Sequence, residues 1–220
     1  SFEETARVSR KSVHGQIPIE EFPPELQFVL DPKLQEWQPP EELLRECPYY
    51  LSGFDEENRP IWILEMGGWP TRDILARGRE WEEAYYNYMD KMIQNMYNSV
   101  TLRATPENPV TGANIIIDVD KYTIKHFSSV KAVKFVTTKF QLLGAAAKFG
   151  HVVWVVNANA FAQVVLNFLR PILGSALERV EVFGTNKNSW IPRLLKELPK
   201  DQLPEKYGGR KDFKPVQVYG

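Results

Sequence analysis

The chain has 220 residues, 43% of them hydrophobic and 25% charged, with a net charge of −1. That composition excludes a disordered or fibrous protein and suits one globular domain of ordinary size with an extension. The near-zero charge excludes a global field drawing the chain to nucleic acid or to an anionic membrane, so any membrane contact has to be local and apolar.

Residues 1–45 hold six prolines (Pro18, Pro23, Pro24, Pro32, Pro39, Pro40) and few apolar positions at a helical period. They predict short helices separated by turns, wrapped over a core supplied from elsewhere, with the main domain running from 46 to 220. The single cysteine, Cys47, allows no intramolecular disulfide. With no signal-peptide pattern, no Asn-x-Ser/Thr acceptor and no uninterrupted apolar run of membrane-spanning length, a reducing cytosol is expected. Ser1 at the start reads as an excised fragment.

Ile61 to Met66 is a β-branched and aromatic run of strand length, stopped by Gly67-Gly68-Trp69-Pro70. A long helix is expected from about Thr71 to Tyr97. Asn114 to Asp118 and His151 to Asn157 are continuously apolar at their centres, which suits strands covered on both faces. A helix from about Ser128 to Leu143 lies between them. Phe161, Val164, Val165, Phe168, Leu169 and Ile172 then share one helical face from about Ala160, with Pro171 expected to break the helix and Gly174 to loosen the segment after it. A fourth strand, Arg179 to Phe183, and a helix from Ser189 to Leu198 complete an α/β chain with a mixed, largely parallel sheet.

Signals for catalysis are weak. Asp118-Val119-Asp120 after an apolar strand resembles the nucleophile and acid pair of haloacid-dehalogenase-type phosphatases. That pattern expects Thr or Val where Tyr122 stands and a later Asp-Asp pair that is missing, so both acids are read as caps of the following turn. His14, His126 and His151 are scattered without metal-ligand spacing, and no nucleophile elbow or phosphate loop occurs. No catalytic residue, metal or cofactor is expected.

One ordered set of phrases carries a resemblance: Trp37-Gln38-Pro39-Pro40-Glu41, Tyr50-Leu51-Ser52-Gly53, Arg59-Pro60-Ile61-Trp62, Ile116-Ile117-Asp118, Val155-Val156-Asn157-Ala158, Phe168 to Leu173, Leu194-Leu195-Lys196, Asp201-Gln202-Leu203-Pro204 and Tyr207-Gly208-Gly209. In order and spacing the chain resembles the CRAL-TRIO, or Sec14-like, lipid-binding proteins, most closely their animal Sec14-like subgroup. The resemblance implies a sheet flooring a deep hydrophobic pocket, helices as walls, and the helix from Ala160 to Leu173 as a lid. It also implies that Arg7–Ser12 is the tail of an N-terminal helical lobe, and that some relatives carry a further β-rich domain after the Gly-Gly.

The expected function is an intracellular carrier of one hydrophobic small molecule or lipid, with transient contact at a membrane surface and no nucleic-acid partner; nothing points to an oligomeric state. The walls expected are Ile115, Ile117, Val153, Val155, Val180 and Val182 on three strands, Phe135, Thr138 and Leu142 on one helix, and Val165, Phe168, Leu169 and Ile172 on the lid. Phosphatidylinositol-binding relatives carry a Tyr-Pro-Glu phrase where this chain has Ala146-Ala147-Lys148, and small hydroxyls that meet the phosphatidylcholine headgroup fall at Ala113 and Leu142. With Lys148 and Arg179 as the candidate polar end, the pocket reads as suited to a weakly polar ligand such as a terpenoid, tocopherol, retinoid, carotenoid or sterol-like molecule. The alternatives are phosphatidylinositol/phosphatidylcholine exchange and a lipid-sensing regulatory module.

Overall fold

In the computed structural model, residues 22–147 and 150–220 are described. Six strands form one sheet in the order β5-β4-β3-β2-β1-β6: β1 (Tyr49–Phe54), β2 (Pro60–Leu64), β3 (Asn114–Asp118), β4 (Val152–Val156), β5 (Val180–Val182) and β6 (Gln217–Tyr219). Strands β2 to β5 are mutually parallel, and β1 runs antiparallel to both β2 and β6. The sheet is therefore mixed, as the alternation of strands and helices predicts.

Two of these strands were not expected. Serine and glycine interrupt the apolar pattern of β1, whose register slips between Leu51 and Gly53. Strand β6 exposes Val218 and exists through its pairing with β1, Tyr49 opposite Tyr219.

Helices cover both faces because both faces of β2 to β4 are apolar. Trp62, Leu64, Ile117, Val153 and Val155 join the larger, front core. Ile61, Ile63, Ile116, Trp154 and Val156 join the back core with Trp190 and Leu194. The described part of the proline-rich segment forms a 3₁₀ turn at Pro24–Leu30 and two short helices, α1 (Pro32–Glu36) and α2 (Glu41–Glu46). Leu26 and Val29 enter the front core.

The stretch expected as one helix from Thr71 is two, α3 (Thr71–Leu75) and α4 (Arg79–Ser99), parted at Gly78. Polar side chains of α4 hold the proline-rich segment: Lys91 Nζ donates to the Gln35 carbonyl at 2.6 Å, and Gln94 Nε2 to that of Asp31 at 2.9 Å. Helix α5 (Val130–Ala147) packs beside α4 on the front face.

Helix α6 (Ala160–Leu173) corrects the expected break at Pro171. The side chain of Asn159 caps it by accepting from the Ala162 N–H at 2.9 Å, and Pro171 lies inside it. A proline there removes one hydrogen bond, and packing of the inner face on the core offsets the loss. The end comes at Gly174, whose φ of +53° is strained for other residues. A 3₁₀ turn at Gly174–Arg179 then leads to β5, so Arg179 precedes that strand rather than starting it. By length and composition, Ala160–Arg179 as one helical stretch could cross a membrane, although polar residues interrupt its apolar run. Helix α7 (Lys187–Leu195) and the closing turns seal the back face.

Candidate ligand-binding site

The front face of the sheet does not meet its helices everywhere. A cavity of about 60 Å³ lies at the C-terminal ends of β3 and β4, between α4, α5 and α6. Ile117, Val119 and Val155 form its floor, Phe135, Val136 and Phe140 one wall, and Met66, Trp69 and Met89 another. Ala162, Val165, Leu166 and Leu169 of α6 close it. A second cavity of about 80 Å³ lies on the same face at the other end of β3, between Leu26, Val29, Ile93, Met96, Ala113 and Ile115. From Ala113 to Val119 the strand spans roughly 20 Å.

Small-molecule pockets commonly hold ~300–1,000 Å³. The first cavity is far smaller, and leaving it unfilled costs about 1.5 kcal/mol at ~24 cal/mol per Å³. The fold as it stands is closed down. A ligand of lipid size enters only when α6 or the wall side chains move outward.

Of the residues expected to form the walls, Ile117, Phe135, Val155, Val165 and Leu169 line the first cavity and Ile115 the second. Val153 is buried and Val180 half-buried in the front core; the strand register places both on the same face as Ile115, with Val182 aligned to Val155. Val182 is 44% exposed because β5 is the sheet edge. Phe168 is 53% exposed and turned away from the cavity, its ring edge-on to Phe127 at 5.8 Å. Leu142 and Ile172 are half-buried against the front core outside both cavity walls, and Thr138 is half-buried without joining them. The guanidinium of Arg179 donates to the Gly150 carbonyl at 2.6 Å, beside the second cavity. Lys148 lies outside the described residues.

The polar side chains in the wall were not anticipated. Lys139 is buried and its Nζ donates to Asp90 Oδ1 at 2.7 Å. Burial raises the Asp90 carboxyl above its ordinary value, and the bond from Lys139 opposes that rise. Thr71 Oγ1 and the Tyr85 hydroxyl share a hydrogen bond of 2.8 Å, and Tyr85 stacks on Phe135 at 4.3 Å between centroids. Burial pushes the Tyr122 hydroxyl up to about 12. A usable signal was present: Lys139 comes four residues after Phe135 and three after Val136, so it falls on the inner stripe of α5.

Asp118, at the same C-terminal end of β3, does not line the cavity and meets Tyr207 of the back core instead. Its Oδ2 accepts from the Tyr207 hydroxyl at 2.7 Å, and its Oδ1 from Asn157 Nδ2 at 3.0 Å and the Asp120 N–H at 2.9 Å. Burial and the nearby Asp118 charge hold the Tyr207 hydroxyl far above its ordinary range, so it remains a donor. A Cβ on Gly209, two residues on, would overlap the carbonyl of Leu203. Asp120 is exposed. These contacts give Asp118 the work of a structural acceptor. Among the described residues no group of three or more His, Cys, Asp or Glu side chains could hold a metal ion.

The model of the CRAL/TRIO domain family matches residues 44–209, which take in every strand from β1 to β5 and both cavity floors. The chain belongs to the CRAL/TRIO family. Among curated proteins, this CRAL/TRIO chain is 22% identical over 83% of its length to a "Phosphatidylinositol/phosphatidylcholine transfer protein SFH4" of Arabidopsis thaliana, covering 30% of that protein. It is 24% identical over 80% of its length to "Protein ctg-1" of Caenorhabditis elegans, covering 46% of that protein. It thus spans less than half the length of each of these relatives. The crystal structure of Sfh5 shares the fold with a TM-score of 0.55 at 12% identity, over 84% of this chain and 62% of that one.

Cys47 is free and fully buried in the front core, and burial drives its thiol well above the ordinary range. Iodoacetamide at pH 8 is therefore expected to alkylate the native protein at least about 100-fold more slowly than the denatured chain. Similar rates in both states, followed by mass spectrometry, would show that this core opens readily.

Proposed function

We propose that the chain is a non-catalytic carrier that holds one hydrophobic small molecule on the front face of the sheet beneath α6 and exchanges it at a membrane surface. The observation that carries this reading is the cavity under α6, whose lining is aliphatic, aromatic and thioether except for Thr71, the tyrosine hydroxyls and Lys139. The second cavity in line with it extends the apolar floor to a length that suits a long chain or polycyclic ligand. Burying such a ligand stabilises the complex by about 25 cal/mol per Å² of apolar area, enough to favour an opened site over the collapsed one.

Helix α6 is suited to both tasks. Its inner residues Ala162, Val165 and Leu169 are buried, while Val164 and Phe168 face solvent. Seated on the core by its inner face and with apolar side chains also on its outer one, the helix suits a lid that lies on a bilayer surface rather than one that crosses it. The buried, unpaired Cys47 is in keeping with a reducing compartment such as the cytosol.

A weakly polar ligand (terpenoid, tocopherol, retinoid, carotenoid or sterol-like) is favoured over a phospholipid because Ala113 is a buried alkyl group in the second cavity, where a headgroup would need hydrogen-bond partners. The name of the Arabidopsis relative favours the second reading, phosphatidylinositol/phosphatidylcholine exchange. Mass spectrometry of an organic extract, paired with a vesicle transfer assay, separates the two. The carrier reading expects a neutral lipid in the extract and no phosphatidylinositol transfer. Stoichiometric phospholipid with efficient transfer would establish the second reading, and magnesium-dependent phosphatase activity abolished by Asp118→Asn would overturn both.

A further inference from the structure

Lys139 is the one charged residue in the wall of the first cavity among the described residues. Its side chain is 4% exposed, and its Nζ lies 2.7 Å from Asp90 Oδ1 and 4.8 Å from the centroid of the Tyr86 ring. Asp90 is outside the cavity wall, its side chain 22% exposed. An ammonium carries three N–H donors and is costly to bury unless they are used. Asp90 is its single hydrogen-bond acceptor among the described residues. Of the three hydroxyls in the wall, those of Thr71 and Tyr85 already bond each other, and that of Tyr122 is a neutral donor. Lys139 is therefore the one charged donor in a chamber that is apolar apart from these hydroxyls.

We infer that Lys139 receives the polar end of the bound ligand, and that this end is an uncharged oxygen acceptor: a carbonyl, an ester or a hydroxyl. This rests on the carrier reading and names the ligand chemistry within it. The sign of the charge decides between acceptor classes. Lys139 and Asp90 together are neutral, so a carboxylate or phosphate placed between them leaves the chamber with a net negative charge beside Asp90. A neutral oxygen takes a charge-assisted hydrogen bond from Lys139 without that repulsion. Lys139 thus supplies polar recognition at a site distinct from Arg179, which lies beside the second cavity.

The test uses the whole chain and four probes with one C16 chain, delivered from cyclodextrin: hexadecane, hexadecanol, methyl palmitate and palmitate. Binding is read from tryptophan emission, Trp69 being in the cavity wall, and from thermal shift. The wild type is expected to hold methyl palmitate and hexadecanol at least about 10-fold more tightly than either hexadecane or palmitate, the size of one charge-assisted hydrogen bond. Lys139→Met should bring the ester and alcohol down to the hydrocarbon. Asp90→Asn leaves the cation unmatched, and should reverse the preference in favour of palmitate by about 10-fold. If Lys139→Met does not fold, the neutral Asp90→Asn/Lys139→Met pair takes its place and should bind all uncharged probes alike. A purely structural ion pair would not move the order of the probes. Equal binding of ester and hydrocarbon, unchanged in the variants, overturns this inference and leaves the carrier reading standing. Preference of the wild type for palmitate overturns it in the same way. Binding of none of the probes overturns the carrier reading, and the inference with it.

Discussion

Replacing Asp118 by alanine is expected to cost about 3–5 kcal/mol of stability, among the largest effects of any single change in the chain. The carboxylate is 2% exposed and accepts three hydrogen bonds, from Tyr207, Asn157 and the Asp120 backbone. Its removal strands a buried amide and leaves the Tyr207 hydroxyl only its longer bond to Glu65 Oε1 at 3.3 Å, and a buried polar group left unpaired costs about 1–3 kcal/mol. Tyr207→Phe removes one donor only and should cost about 1 kcal/mol. The exposed Asp120→Asn should stay within about 0.5 kcal/mol of the parent. Denaturant unfolding measures all three. An Asp118→Ala protein within about 1 kcal/mol of the wild type would mean that the strut between β3, β4 and the C-terminal turn contributes little.

The double variant Val164→Glu/Phe168→Glu is expected to slow extraction of a hydrophobic probe from phosphatidylcholine vesicles by at least about 30-fold. Val164 is 63% exposed and Phe168 53%, side by side on the outer face of α6. Burying each in a bilayer surface contributes roughly 1–2 kcal/mol, and their sum converts to that factor or more. Uptake of the same probe from cyclodextrin should stay within about twofold, because the inner face of α6 is untouched. Val164→Glu alone, which leaves the Phe127–Phe168 contact in place, should show about half the free-energy effect. Unchanged extraction from vesicles would remove the outer face of α6 from the exchange step.

The phrases that carry the family resemblance meet in space, mostly away from the cavity wall. Asp118 of the Ile-Ile-Asp phrase bonds Asn157 of Val-Val-Asn and Tyr207 of Tyr-Gly-Gly. Ser52 of the Leu-Ser-Gly phrase donates to the Gln202 carbonyl at 2.6 Å, and the Gln202 side chain accepts from the Phe54 N–H at 3.0 Å. Their common order therefore reports a scaffold. The polar residues of the cavity wall, Lys139, Thr71, Tyr85 and Tyr122, and Asp90 bonded to Lys139, lie outside every phrase, so recognising the scaffold did not reveal them.

Local pattern determined what depends on neighbours within a few residues. The continuous apolar runs of β2, β3 and β4 are required by a sheet covered on both faces, and alternation along them correctly put Ile115, Ile117, Val153, Val155 and Val180 on one side. The apolar face of α6 was visible for the same reason. Tertiary structure decided the rest. Helix α6 is apolar nearly all round, so periodicity could not say that Val165 and Leu169 turn inward while Phe168 turns out; the seat offered by β3, β4 and α5 does that. Strand β6 needs a partner far away in sequence. The volume left above the sheet is set by how closely three helices approach it, a quantity written in no single segment.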